Sequence, residues 1–289
     1  MRNNIKQSLH WLGRILAISG IVFVILRLIE YSSQLDISHL DKTAWAIISA
    51  AALVYAFANI LLALAWWNLL VYFGTTTSLL WAIRTYGITQ LAKYVPGNIM
   101  HLASRQVLGL ADGVPGWHLA KASAWELGLI SVAGALFSIL VLPQFSAKAT
   151  THTATVGFIF TLLIMALLLK RYANKSVAKA FGWYVVFLTT SGILFVGLLT
   201  LISSAIIVSP SHVITYCGAF VIAWLIGLIT PGAPAGAGVR ELVLILLLKK
   251  FVVESDLLLA VLLSRLVTVF GDVLFYLFAS LLKRSHLPS

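Results

Sequence analysis

Arg240 and Glu241 stand side by side at the end of a broken apolar stretch, 230-TPGAPAGAGVRELVLILLL-248. Pro231, Gly232, Pro234, Gly236 and Gly238 cannot sustain a regular helix there, because proline lacks an amide donor and glycine carries the largest ordering cost. In lipid, such backbone has to be buried in protein or line a wet cavity. Beyond Gly238 a helix can start whose first turn holds Arg240 and Glu241. The unpaired amides of that turn and the guanidinium fork together make an anion site, and phosphate is the anion a membrane offers. Glu241 favours the same helix end and is placed to hold Arg240. The alternative is an interfacial Arg-Glu pair that satisfies itself or bonds water.

A second broken stretch, 90-QLAKYVPGNIMHLASRQ-106, resembles the first. Each has a Pro-Gly pair, Pro96-Gly97 and Pro231-Gly232, and each has an arginine nine residues after that proline, Arg105 and Arg240. Interrupted hydrophobic segments in corresponding positions of two halves point to a transporter binding site. With four spans between them, the halves, 1–145 and 150–289, are expected to be parallel repeats within one transmembrane domain covering 1–289. Gln90, Tyr94, Asn98, His101 and Arg105 recur at helical spacing, so they form either a polar groove for a lipid headgroup or the wet face of an interfacial helix.

Glu126, Arg265 and Asp272 lie well inside apolar sequence, where a charge is costly and faces a partner or a cavity. Arg265 and Asp272 share a helix face without touching. Glu126 is expected to pair with Arg265 or Arg240, either to fix the site or only to specify packing. Catalytic patterns are lacking: there is no Asp-x-Asp pair, no nucleophile elbow, no Walker loop and no His-Glu-x-x-His. His101 has no companion at ligand spacing, so no metal, no cofactor and no enzymatic activity are expected.

These residues sit in a chain of 289 residues that is 61% hydrophobic and only 10% charged, with a mean hydropathy of +1.00. That composition defines an all-α, polytopic membrane protein. Spans are expected at about 11–29, 44–72, 118–142, 153–170, 184–207, 213–229 and 255–282, with two broken re-entrant segments at about 79–109 and 230–252. The run 15–29 contains Arg27 and lacks a small-x-small site, which argues against a cleaved signal peptide. A net charge of +11 flanking apolar spans reflects the positive-inside bias and anionic lipid, not nucleic acid. Seven spans and a cytoplasmic N-terminus put the basic clusters at Arg2, Arg84, Lys170 and Lys249 inside but leave Lys283 and Arg284 outside. The single cysteine, Cys217, excludes an intrachain disulfide and reads as a small core residue.

The run 231-PGAPAGAGVRELVL-244, with 260-AVLLSRLVTVFGDVLFYL-277 after it, resembles the C-terminal pattern of the lysylphosphatidylglycerol synthase transmembrane-region family, P-x-G-x-G-x-R-E followed by a span opening A-x-x-x-x-R. The stretch 93-KYVPGNIMHLASR-105 and the Glu126 span are similar to that family's other recurring segment. The usual glycine pair is replaced here by Ala233 to Gly236, with an extra Pro234. The resemblance implies a stand-alone flippase domain without the soluble synthase. On that footing Pro231, Gly236, Gly238, Arg240, Glu241 and Arg265 carry over, together with Pro96, Gly97, Arg105 and Glu126. It implies translocation of an anionic phospholipid or a polyprenyl-linked or glycolipid carrier in the inner membrane, during cell-envelope biogenesis. The rival expectation is an accessory protein that positions lipid for a partner glycosyltransferase. Cell-envelope enzymes and a second copy of the chain are the candidate protein partners.

Overall fold

A computed structural model of the chain describes residues 41–95, 99–146, 148–202, 209–230, 236 and 238–283, together with Val22, Leu26 and Ile29. Most of the expected first span, and Pro96, Gly97, Asn98, Pro231 and Gly232, lie outside the described residues. The described residues form nine α-helices and no strand, as the composition predicts. In chain order they are α1 (Lys42–Tyr72), α2 (Leu79–Gln90), α3 (Met100–Ala111), α4 (Gly116–Leu136), α5 (Thr151–Tyr172), α6 (Lys175–Ile202), α7 (Pro210–Ile229), α8 (Val239–Leu248) and α9 (Glu254–Leu281). A 3-10 turn, Leu91–Tyr94, follows α2, and another, Phe137–Gln144, extends α4.

Six of these helices, counting α4 with its extension, are long and apolar enough to cross a membrane, which makes the chain a multi-pass membrane protein. Their starts are written locally. Asp41 caps α1 by accepting from the Ala44 amide at 2.7 Å, and Ser78 caps α2 through the Trp81 amide at 3.2 Å. Thr150 and Thr153 form a reciprocal cap on α5, and Ser209 with Pro210 opens α7. Helix α6 starts nine residues before the expected 184, at Lys175. The side chain of Asn174 accepts from the Ser176 amide at 3.1 Å there, so Lys175 and Lys179 belong to the helix and not to a loop.

The bundle has a near end, where α1 finishes, and a far end, where it starts. Helix α4 begins at the near end, its Trp125 ring 5.7 Å from Tyr72, and its extension reaches the far end, where Phe137 meets Phe158 of α5 at 4.8 Å. Helix α5 returns, and a short turn sends α6 back down. Helix α9 runs parallel to α1: Gly271 packs on the α1 backbone between Ala52 and Ala56, and the Leu282 carbonyl accepts from Arg84 Nε at 3.1 Å at the near end. The small residues Ala52, Ala56 and Gly271 allow this close approach.

Both broken segments are hairpins, and they hang from opposite ends. In the first, Trp81 Nε1 at the start of α2 donates to Asp112 beyond the end of α3 at 2.9 Å, so both legs open at the near end. The 3-10 turn before the break lies deep enough for Tyr94 to reach Asp272 of α9. In the second, Gly218 of α7 packs on Phe137 and Leu140, and Gly134 of α4 packs on Leu225. Helix α7 therefore rises from the far end and stops one turn past Leu225, beside the middle of α4. Gly236 then turns against Gly227, and α8 descends again along α7.

This corrects two expectations. The segments are inverted with respect to each other rather than parallel, and Lys249 and Lys250 fall at the far end while Lys283 falls at the near end. The physical reason is that hydropathy cannot tell a crossing helix from one whose end is buried. Pro210–Ile229 has the length and composition of a span, but glycine-mediated packing against α4 fixes where its last turn lies.

Candidate functional site

Residues flanking the two breaks, Gln90, Lys93, Tyr94 and His101 from the first and Leu228 and Arg240 from the second, line a cavity of about 90 Å³. A single water needs roughly 10–15 Å³ on the same measure, so the space holds several waters or a small charged group. Among the described residues three ion pairs surround it, one buried on both sides and two with one partly exposed partner, each tying a broken segment to an unbroken helix.

The first is Arg105 of α3 with Glu126 of α4. Arg105 Nη1 lies 2.6 Å from Glu126 Oε2, and the two side chains are 1% and 6% exposed, which takes the pair out of contact with solvent. Tyr86 donates its hydroxyl to Glu126 Oε1 at 2.8 Å, and its ring centre lies 4.2 Å from the Arg105 guanidinium carbon. The second is Asp272 of α9, wholly buried, with Lys93 at 2.6 Å. Asp272 also accepts from Tyr94 OH at 2.6 Å, from Asn59 Nδ2 at 3.1 Å and from Gln90 Nε2 at 3.3 Å. The end of α2 and the 3-10 turn after it are thus clamped to α1 and α9 together.

The third pair joins Arg265 of α9 to Glu241 of α8, at 3.0 Å from Nη2 and 3.1 Å from Nε. Arg265 Nη2 also donates to the Gly236 carbonyl at 2.9 Å. That carbonyl is available because Gly236 adopts φ +71°, where a side chain is disfavoured, and lies against Gly227 too closely for a Cβ on either. Gly238, at φ +81°, opens α8.

Arg240 is left over. Its guanidinium carbon lies 5.8 Å from the centre of the Trp224 ring on the cavity wall. Among the described residues no carboxylate forms an ion pair with it, and its buried Nε has no hydrogen-bond partner. His101 lines the same cavity, and its buried Nδ1 is also unpartnered among the described residues, as is Arg105 Nη2.

The expected residues therefore converge, but with different partners. Glu126 pairs with neither Arg265 nor Arg240, because Arg105 reaches it first across the short α3–α4 connection. Glu241 holds Arg265 and not Arg240, since consecutive helical residues point about 100° apart. Gln90, Tyr94, His101 and Arg105 do not share one continuous face: the break turns Gln90 and Tyr94 toward Asp272, while His101 lines the cavity and Arg105 lies behind it. Asn59, Tyr86, Lys93 and Trp224 were missed as site residues. Asn59 carried a signal, as an amide alone in the apolar run 53-LVYAFANILLALA-65.

Fold and site together define an all-α, multi-pass membrane protein with a charged cavity between two inverted hairpins. No family model, no curated protein and no solved structure matches the chain.

Proposed function

We propose that the chain is a membrane lipid translocase whose central cavity receives an anionic headgroup while the hydrocarbon chains stay in the bilayer. The supporting observation is Arg240, a cation held over Trp224 whose buried Nε has no partner among the described residues, in a cavity whose other described cations are each paired with a carboxylate. Such a group, desolvated without a counter-charge, is costly unless a ligand supplies one. Breaks at mid-depth in two hairpins of opposite sense are the arrangement that secondary transporters use for a site reachable from either face. The resemblance to the lysylphosphatidylglycerol synthase transmembrane region belongs to this proposal, as do the cell-envelope role and the absence of a covalent step.

The near end carries Arg84, Lys121, Lys170, Arg171, Lys175, Lys179 and Lys283, against Lys42, Lys148, Lys249 and Lys250 at the far end. The positive-inside rule then assigns the near end to the cytoplasm. The same assignment puts Lys283 in the cytoplasm, and a cytoplasmic N-terminus in the inner membrane remains the expectation from sequence, its span at about 11–29 lying outside the described residues apart from Val22, Leu26 and Ile29.

The test is movement of fluorescently labelled phosphatidylglycerol in proteoliposomes, read by dithionite quenching. The purified chain is expected to expose inner-leaflet label that protein-free vesicles protect, and Arg240→Ala to slow this by about tenfold or more. Selective lipid binding without movement would replace the translocase reading with that of an accessory protein that positions lipid for a partner enzyme.

A further inference from the structure

We infer that the headgroup taken by this cavity carries one negative charge, that of a phosphodiester, and that diphosphate-linked carriers are excluded. The inference rests on the headgroup reading above and narrows it. At neutral pH the cations around the cavity are Lys93, Arg105, Arg240 and Arg265, and the carboxylates are Glu126, Glu241 and Asp272. Each carboxylate is consumed by one cation, which leaves a single positive charge, on Arg240. One phosphodiester neutralises it. A diphosphate brings at least one further charge into a space where no other cation among the described residues is free to receive it, and uncompensated charge in a dry site is strongly disfavoured.

The donors agree with the charge. Arg240 Nε and His101 Nδ1 are buried, unpartnered among the described residues, and belong to side chains lining the same cavity. Arginine offers several N–H groups in a fork, and histidine one in the appropriate neutral tautomer. A phosphodiester presents two non-bridging oxygens to such a set.

The surroundings favour a lipid over a soluble ion as the source. Leu127 of α4 lines the cavity and is 37% exposed, so an apolar and incompletely covered side chain forms part of the cavity wall. Gly128 beside it has no neighbour within 4 Å of where a Cβ would lie. Phosphodiester headgroups of glycerophospholipids and of polyprenyl-phosphate-linked sugars both satisfy the charge rule.

The experiment is native mass spectrometry of the full chain. One arm uses micelles doped equally with dioleoylphosphatidylglycerol, dioleoylphosphatidylcholine and a polyprenyl diphosphate; a separate arm uses inorganic phosphate alone. Expected is one retained phosphatidylglycerol per chain, favoured about tenfold or more over each of the other two lipids. Arg240→Gln should bring phosphatidylglycerol and phosphatidylcholine to near parity while the diphosphate stays excluded. Should that variant fail to fold, His101→Ala, which leaves all three ion pairs intact, should weaken phosphatidylglycerol retention several-fold and keep the charge preference.

Retention of the diphosphate at least as well as phosphatidylglycerol overturns the single-charge inference and leaves the headgroup site standing. No preference for either anionic lipid over phosphatidylcholine overturns both. Phosphate binding that depends on Arg240, with no lipid retained, overturns the lipid source.

Discussion

At the residue scale, the buried pairs and the lone arginine call for opposite experiments. Arg105 and Glu126 are both nearly inaccessible and bonded to each other, with Tyr86 as a third member. Removing the charge of Glu126 leaves a guanidinium buried without its counter-ion, a loss of about 3 kcal/mol or more. Glu126→Gln is therefore predicted to lower the thermal midpoint of the purified chain by several degrees and, because it leaves a second uncompensated cation beside the cavity, to weaken the exclusion of a diphosphate. The double variant Arg105→Met, Glu126→Leu should recover part of that loss, and only part, because the Tyr86 hydroxyl then lacks its acceptor. A Glu126→Gln protein of normal stability and unchanged lipid preference would overturn the role given to this pair in the charge balance of the cavity. Arg240 is predicted to behave in the reverse way. Its replacement should cost little stability, since it gives up no ion pair, and should act on binding.

At the scale of elements, the glycine contacts at the turn of the second hairpin decide where the arginines stand. A Cβ on Gly227 would lie 2.8 Å from Arg240 Cγ and 3.1 Å from Gly236 Cα, so α8 could not begin where it does. Gly227→Ala is predicted to cost about 1–3 kcal/mol and to abolish the lipid preference even in protein that still folds. Gly197→Ala, in open space on α6, is the control and should change neither thermal midpoint nor lipid retention. The same elements show what could be read in advance. Runs of apolar residues long enough to cross a bilayer locate α1, α4, α5, α6 and α9 to within a few residues, apart from the lysine-bearing start of α6, because that signal is local and additive. The prolines and glycines near 96 and 231 mark both breaks for the same reason. The choice of Arg105 rather than Arg240 for Glu126 was not legible, because it depends on how far α3 and α4 stand from α8. The premature stop of α7 was equally hidden, since Gly134 and Gly218 look like any other helical glycines until a neighbour lies against them.

At the scale of the whole molecule, the inverted hairpins change the sidedness of every basic cluster beyond α7. With α7 and α8 returning to the far end, Lys249 and Lys283 fall on opposite faces, whereas seven plain spans would separate them differently, with Lys249 inside and Lys283 outside. In a Cys217→Ser background, Lys283→Cys is predicted to be shielded from an impermeant maleimide in intact cells, and Lys249→Cys to be labelled. Labelling of Lys283→Cys alone would restore the seven-span count and remove the inverted arrangement.

The charge surplus at Arg240 has an electrical consequence. An empty cavity carries one positive charge, and a cavity holding a monoanion carries none. A membrane potential acts on a charge in the bilayer by about 2.3 kcal/mol per 100 mV across the full thickness, so it pulls on the unloaded protein and ignores the loaded one. In vesicles clamped with valinomycin and potassium, a potential is predicted to change the rate of repeated turnover and to leave the first transfer of preloaded lipid unaffected. A first transfer that responded equally would mean that the charge travels with the lipid. Voltage, on this account, governs the return journey.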